Sequence, residues 1–490
     1  MSNPIKKLLG QTAIYGLPSI VGRMLNFLLV PIYIASFQDA KDYGVVSQLY
    51  AWVAFLVVFL SFGMETAFFR FLQNKEDKNE IFSNSFLTVI GINILFLLSI
   101  LLFNREIAVA LNVADYPIFI ILLGAIVCID AISSLPLAKL RAEERAAKFA
   151  LIQAISIAVN IGLNLFLMLV VFNPKRPEEG VIFILAANLL SSLVKPIFLY
   201  KDFYNIKLKF NTRIAKEMLI YALPIMIGGL AGIVNETIDR ILLQNMLYDG
   251  HSVTSLDAAN REVGIYSACY KLSMLVTILI TAYRYAAEPF FFAQLKNEEK
   301  NKIYSKVMSY FIAAICFVFL LVSLNVDIIK VFFIPNKTYW EGLKVVPILL
   351  LANVFLGVYF NQSIWYKLSN QTKFGAYIAI TGASLTILIN FIFIPRYGYM
   401  ASAWATLIVY AFQMILSYIL GQKFYPIKYN IRKFFLYLGL AIFLFLFSKM
   451  LELNSDSLSK ILINNSIILV YVAFIWFMEK PSKSIKQKIS

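Results

Sequence analysis

The sequence predicts an all-α membrane protein of fourteen transmembrane helices: two parallel six-helix lobes and two extra C-terminal helices. Three observations carry that expectation. Of 490 residues, 60% are hydrophobic and only 15% are charged, whereas a soluble domain is nearer half apolar and about 25% charged. Apolar runs of roughly 20 residues recur along the chain, each long enough to cross a hydrocarbon layer of about 30 Å. The chain also starts over. Tyr15 to Gly22 reads YGLPSIVG and Tyr221 to Gly228 reads YALPIMIG, each after a basic lead-in (Lys6 and Lys7; Arg213 and Lys216).

Taken in order, the expected spans are 11–36, 44–71, 82–103, 113–138, 149–172, 180–200, 217–246, 263–292, 304–326, 343–366, 373–395, 399–421, 433–451 and 460–478. The first has no short apolar region with a cleavage site, so it is expected to be retained as a span. Fourteen spans put both termini on one side. The segments on that side hold 28 Lys and Arg and the opposite segments 10, which predicts a multi-pass protein with both termini in the cytoplasm. The net charge of +16 is therefore read as topology, not as nucleic-acid binding. No segment outside the spans exceeds about 20 residues, too few for a soluble catalytic domain. Cys128, Cys269 and Cys316 lie in apolar runs, and nothing in their placement suggests a disulfide framework.

The repeat extends past its first helix. Glu65 to Leu72 (ETAFFRFL) matches Glu288 to Leu295 (EPFFFAQL), Lys148-Phe149 answers Lys373-Phe374, and Asn164 and Asn390 follow inside the fifth and eleventh spans. Six spans per copy is an even number, so the copies share one orientation. The expected divisions are an N-lobe over 1–210, a C-lobe over 211–424, and the last two spans with the tail over 425–490, for which no counterpart is expected.

Two polar stripes stand out. Thr12, Tyr15, Ser19, Arg23 and Asn26 in the first span recur every three or four residues. So do Tyr266, Tyr270, Ser273, Thr277, Thr281, Arg284 and Glu288 in the eighth. That spacing puts each set on one helix face, which must meet protein or a water-filled cavity, because lipid offers it no hydrogen bonds. Small hydroxyls also join helices directly, so a stripe alone does not decide between the two. The charges are sharper: each at mid-membrane costs about 2.5–3.5 kcal/mol even on a lenient scale. Arg23 lies about 12 residues into its span, roughly 18 Å deep, and Lys271 about 12 Å from the outer end of its own. Arg23, Lys271 and Arg284 are thus the candidate cations of a cavity, with Tyr15, Asn26 and Tyr270 beside them. An internal ion pair is the plainer alternative. The acids available as partners, or as carriers of a coupling H+ or Na+, are Asp130, Glu236, Asp239, Glu65 and Glu288. Glu236 and Arg240 are spaced to pair locally; Asp130 is the preferred coupling acid. The single histidine, His251, falls in an outer loop, which excludes a histidine relay. The chain lacks the phosphate-binding Gly-Lys loop and the metal-ligand spacings, so neither a catalytic residue, a metal site nor an organic cofactor is expected.

Asp239-Arg240, Val263-Gly-Ile-Tyr-Ser267, Tyr270-Lys-Leu272, Leu140-Arg-Ala-Glu-Glu-Arg-Ala-Ala-Lys-Phe149 and Tyr43-Gly44 together resemble the polysaccharide biosynthesis proteins of the O-antigen flippase (Wzx) type. These form a branch of the multidrug/oligosaccharidyl-lipid/polysaccharide exporter superfamily, and the resemblance covers essentially the whole chain. It implies two lobes forming a V around a cationic cavity in the inner membrane of a bacterium. It also implies flipping of undecaprenyl-diphosphate-linked oligosaccharide by alternating access, for surface polysaccharide or lipopolysaccharide synthesis. By that resemblance Arg23, Lys271 and Arg284 would meet the diphosphate, a role that suits buried Arg and Lys. The partners implied are the lipid-linked glycan, membrane lipids, and the polymerase and glycosyltransferases of the pathway. A multidrug or cation antiporter and a lipid II flippase remain as alternatives within the superfamily. A membrane-embedded glycosyltransferase would be expected to carry a large outer loop, and here the loops are short.

The topology is checked by cysteine-accessibility labelling from outside. A cysteine placed near His251 is predicted to react and one near Lys207 to stay unlabelled; the reverse pattern would overturn the assignment of sides.

Overall fold

The computed structural model describes residues 21–22, 24–74, 77–204, 210–295, 297–369, 371–451 and 457–480. Among them there is no strand. The helices are α1 (Met24–Ser36), α2 (Ala40–Ser61), α3 (Met64–Asn74), α4 (Lys78–Ala110), α5 (Pro117–Ala142), α6 (Ala146–Phe166), α7 (Pro177–Tyr204), α8 (Thr212–Leu247) and α9 (Val253–Ala293). They continue with α10 (Lys300–Leu324), α11 (Val326–Phe333), α12 (Val346–Gln362), α13 (Ile364–Leu368), α14 (Lys373–Tyr397), α15 (Tyr399–Phe424), α16 (Ile431–Leu451) and α17 (Ser457–Glu479). Among the described residues, thirteen helical stretches are long and apolar enough to cross a membrane. The first expected span, 11–36, is represented by α1 and by helical residues 21–22, and its positions 11–20 and 23 lie outside the described residues.

Helix ends sit where the sequence supplies caps. Asp39 accepts from the Lys41 N–H at 3.1 Å, Asp77 from Asn79 at 3.0 Å and Asn211 from Arg213 at 3.1 Å, each satisfying an amide that the first turn leaves free. Asp249 does the same in the turn between α8 and α9. N–H groups of Ser252 and His251 point at its carboxylate and hold it below the usual carboxylate range. Two expected spans are broken. The second divides at Phe62 and Gly63, both left-handed (φ 51° and 64°), where a side chain on Gly63 would press the Ala222 carbonyl at 3.1 Å. The tenth consists of a 3-10 turn (Lys337–Val345), α12 and α13. Several helices outrun their expected spans, α9 beginning at Val253 rather than 263, because backbone hydrogen bonding continues past the apolar stretch.

Compactness does not follow the repeat boundary. One unit comprises 1–271, 334–342 and 373–406; the other comprises 272–333, 343–372 and 407–490. These units differ from the expected division at 210 and 424. The reason is that α8, from the second repeat, packs on α2 and α3 of the first as well as on α14.

The first unit holds a local two-fold contact. A Cβ on Gly44 of α2 would stand 1.9 Å from the carbonyl oxygen of Asn260 of α9, and a Cβ on Gly264 of α9 would stand 1.9 Å from that of Ala40 of α2. Each glycine is four residues after the carbonyl its partner meets, so the contact maps onto itself when the helices are exchanged. Asp-Tyr-Gly-Val-Val-Ser over 42–47 and Glu-Val-Gly-Ile-Tyr-Ser over 262–267 are the matching sequences. Small residues four apart allow such backbone approach between membrane helices. Beside the crossing, the Gln48 amide donates to Gln244 Oε1, and the Gln244 amide donates to Asn260 Oδ1 at 2.5 Å. Gln48 and Gln244 are fully buried. Repeat-equivalent asparagines also recur as braces: Asn164 Oδ1 accepts from Tyr33 at 2.8 Å and Asn390 Oδ1 from Ser402 at 2.8 Å.

In the second unit α16 and α17 dock on α10. The Asn464 amide donates to the Leu324 carbonyl at 2.7 Å, and Asp327 holds both Lys330 and Lys460 at 2.5 Å. The sequence reading expects no counterpart for the last two spans. Nevertheless Lys-Phe-Asn-Thr-Arg (209–213) before α8 matches Lys-Tyr-Asn-Ile-Arg (428–432) before α16. Asn211 and Asn430 both cap the helix that follows, so the lead-in to the thirteenth span repeats the lead-in to the seventh.

Gly44→Leu is predicted to force α2 and α9 apart, because the carbonyl at 1.9 Å must retreat to ordinary contact. Overpacking of this kind costs about 1–3 kcal/mol. Thermal melting in detergent should show a clear drop for Gly44→Leu and for Gly264→Leu; unchanged melting would refute the close approach.

Candidate functional site

The charged cluster of the first unit is built on consecutive turns of α8 and α9. Arg240 donates from Nη1 to Asp239 Oδ1 at 2.9 Å and to the Glu236 carbonyl at 2.7 Å. Tyr266 donates to the other Asp239 oxygen at 2.6 Å. The guanidinium lies over the Tyr270 ring at 4.3 Å and the Tyr266 ring at 5.7 Å. Asp239 and Arg240 are only 4% and 7% exposed. A buried ion pair of this kind survives because hydrogen bonds and ring faces complete it. The sequence spacing suggested Glu236 as the local partner of Arg240. The carboxylate at 2.9 Å is Asp239's, and Glu236 supplies its carbonyl.

Lys271 follows directly on α9 and is half-buried. Among the described residues no hydrogen bond or ion pair holds its ammonium, and the charge bearing on it is the like-charged Arg240. The first unit thus contains a cation inside a spanning helix next to a pair whose own charges are already matched.

The other charged candidates have partners. Asp130 accepts from Lys195 Nζ at 2.7 Å, α5 to α7. Glu65 meets Arg141 at 2.7 Å, α3 to α5. In the second unit, Glu288 takes Lys367 of α13 and stands 3.8 Å from Arg284 one turn earlier. Arg284 also stacks over Phe360 at 4.2 Å. Asn26 accepts from the Asn160 amide at 3.2 Å, joining α1 to α6. Arg23 and Tyr15 lie outside the described residues. Among those described, no cluster of acids, histidines or cysteines has the geometry to hold a metal ion.

Sequence reasoning missed the partners rather than the charges. Lys195 was visible as a basic residue inside a span, but nothing in one chain's spacing ties position 195 to 130. Arg141 and Lys367 were read as topology signals and turn out to be counter-charges as well. A signal did exist for the second pair of acids, since Glu65 and Glu288 are repeat-equivalent and each takes a base from the end of the fourth or tenth span.

The helical architecture is that of a multi-spanning membrane protein with the fold seen in the multidrug/oligosaccharidyl-lipid/polysaccharide superfamily. The fold is similar to that of the lipid II flippase MurJ in an inward closed conformation, with a TM-score of 0.68, 14% identity, and 94% of this chain and 98% of that one covered. It is similar as well to an inward-facing multidrug resistance MATE family transporter, with a TM-score of 0.64, 15% identity, and 81% and 93% covered. A third similar structure is a superfamily transporter from Pyrococcus furiosus described as having a binding pocket of reverse polarity, with a TM-score of 0.60, 14% identity, and 85% and 95% covered. No match was found among curated protein sequences. The chain belongs to the polysaccharide biosynthesis protein family, whose signature matches residues 8–295.

Asp239→Ala leaves Arg240 buried and unmatched, a change that costs about 3–5 kcal/mol in comparable pairs. We predict a strong loss of thermal stability for that variant and a smaller one, about 1–3 kcal/mol, for Tyr266→Phe. The double change Asp239→Asn, Arg240→Gln should recover part of the loss, and equal damage in all three would argue against charge pairing as the cause.

Proposed function

We propose that the protein flips an undecaprenyl-diphosphate-linked oligosaccharide across the inner membrane of a bacterium, in surface polysaccharide or lipopolysaccharide synthesis. The observation that carries this reading is Lys271, a cation inside a spanning helix with no counter-charge among the described residues. A diphosphate supplies what the helix lacks, and its binding would relieve the cost of the uncompensated charge. Arg23, on the polar stripe of the first span, is the second cation of the proposed site, and Arg284 and Tyr270 are further contacts. The head group would enter on the cytoplasmic side and leave outward as the two repeats rock, the lipid tail staying in the bilayer. Coupling to H+ or Na+ would run through an acid whose partner changes during the cycle; Asp130, held by Lys195, is our candidate. The polymerase and glycosyltransferases of the same pathway are the expected neighbours.

Similarity in fold to the MATE transporter keeps a cation antiporter as the second reading, and similarity to MurJ keeps lipid II as an alternative cargo. Uncompensated Lys271 disfavours organic cations, which a cationic wall repels. In a complementation assay at equal membrane abundance, Arg23→Ala and Lys271→Ala should each reduce surface polysaccharide, and Arg23→Lys should retain more function than Arg23→Ala. Full activity of the doubly neutralised protein would refute the cationic site and put the antiporter ahead. Rescue of a lipid II flippase deficiency instead would assign the other cargo.

A further inference from the structure

The second unit contains a cavity of about 180 Å³ among α10, α12, α15 and α16. Ile312, Val358, Met414, Ile415 and Phe434 form apolar walls. Two lining groups do not fit an apolar purpose. Gln362 is 5% exposed, its Oε1 has no hydrogen-bond partner, and the Tyr429 hydroxyl is buried and equally unmatched. Buried polar atoms left so are expensive and point to a ligand with polar atoms at that depth.

The cavity lies at the end of the helices that carries the excess of basic residues. The Asn301 amide reaches the Pro426 carbonyl at 3.5 Å, so the α9–α10 turn and the lead-in to α16 share one end. Lys428 and Arg432 flank the lining residues Tyr429, Asn430 and Ile431, and Lys306 is one turn before the lining Ser309. All three cations are exposed, and among the described residues none has a carboxylate within ion-pair distance. Lys433, by contrast, is occupied by Glu479 at 2.5 Å.

We propose that this cavity binds an anionic glycerophospholipid of the bilayer. An acyl chain fills the apolar walls, the ester and glycerol oxygens meet Tyr429 and Gln362, and the phosphate meets Lys428, Arg432 and Lys306. Basic pockets between spanning helices recognise anionic headgroups on these terms. A polyprenyl chain would fill the walls but has no polar atoms along its hydrocarbon to satisfy the two orphaned groups, so a glycerophospholipid is the better occupant. The assignment stands apart from the transported cargo, and its test does not use transport.

The test is thermal melting of the full-length protein in detergent with added phosphatidylglycerol, phosphatidylcholine or undecaprenyl phosphate. Phosphatidylglycerol should raise the melting temperature in a saturable way, and phosphatidylcholine much less. Lys428→Ala with Arg432→Ala, both at exposed positions, should weaken that response about thirtyfold, from about 1 kcal/mol per basic residue. Val358→Phe, which fills the cavity, should remove the response while leaving the basic collar. Equal protection by phosphatidylcholine, an unchanged response in the double variant, or displacement of phosphatidylglycerol by undecaprenyl phosphate would each overturn the proposal. The double variant keeps the test decisive if Val358→Phe does not fold.

Discussion

The contact between α2 and α9 at Gly44 and Gly264 is the constraint on which the first unit depends. With a carbonyl where each Cβ would stand, the two backbones touch, and neither helix is free to rotate or slide without losing the fit. Tyr266, Tyr270 and Lys271 follow Gly264 on the same helix by two, six and seven residues. Their positions against α8 are therefore inherited from a contact that involves none of their side chains. Glycine is required here for close approach, not for an unusual backbone angle.

Around that crossing the polar groups fall into two kinds. Gln48, Gln244 and Asn260 exchange amide hydrogen bonds, while Asp239, Arg240 and Tyr266 complete one another. In a bilayer this matching is what makes buried polarity tolerable. Gln48 Oε1 and Ser267 Oγ are buried without a hydrogen-bond partner, but Lys271 is the unmatched charge, and that gives it functional weight. An unmatched charge among many matched ones is not a general feature of the packing. The pairing of Asp130 with Lys195, and of Glu65 with Arg141, shows how readily this chain supplies counter-charges when structure alone is at stake.

The matching sequence stretches place some features in pairs and leave others single. Asn164 and Asn390 sit at matching positions but brace different neighbours, Tyr33 of the first span and Ser402 of the twelfth, while Glu65 and Glu288 each take a base from the end of the fourth or tenth span. The Asp130–Lys195 pair has no charged echo: the stretch 355–360 reads Phe-Leu-Gly-Val-Tyr-Phe and 415–420 reads Ile-Leu-Ser-Tyr-Ile-Leu. The two halves of the sequence thus differ where charge enters the apolar runs.

The sequence by itself determined what depends on composition and period. Apolar runs of span length were enough for an all-helical membrane protein, and the restarted YGLP/YALP motif for the expectation of a repeat. The same text identified the intramembrane charges, because a charge in an apolar run is conspicuous in one dimension. Tertiary structure alone decided who meets whom. Glu236 was nearer to Arg240 by helical spacing, yet Asp239 holds it, because side-chain geometry and the Tyr266 hydroxyl favour the adjacent acid. Lys195 reaches Asp130 across 65 intervening positions, and Gly44 meets the turn of Gly264 from the other copy. Neither follows from a pattern within one helix. The compact units cross the repeat boundary for the same reason: helix packing is set by which surfaces fit, and that information is distributed over both copies of the sequence.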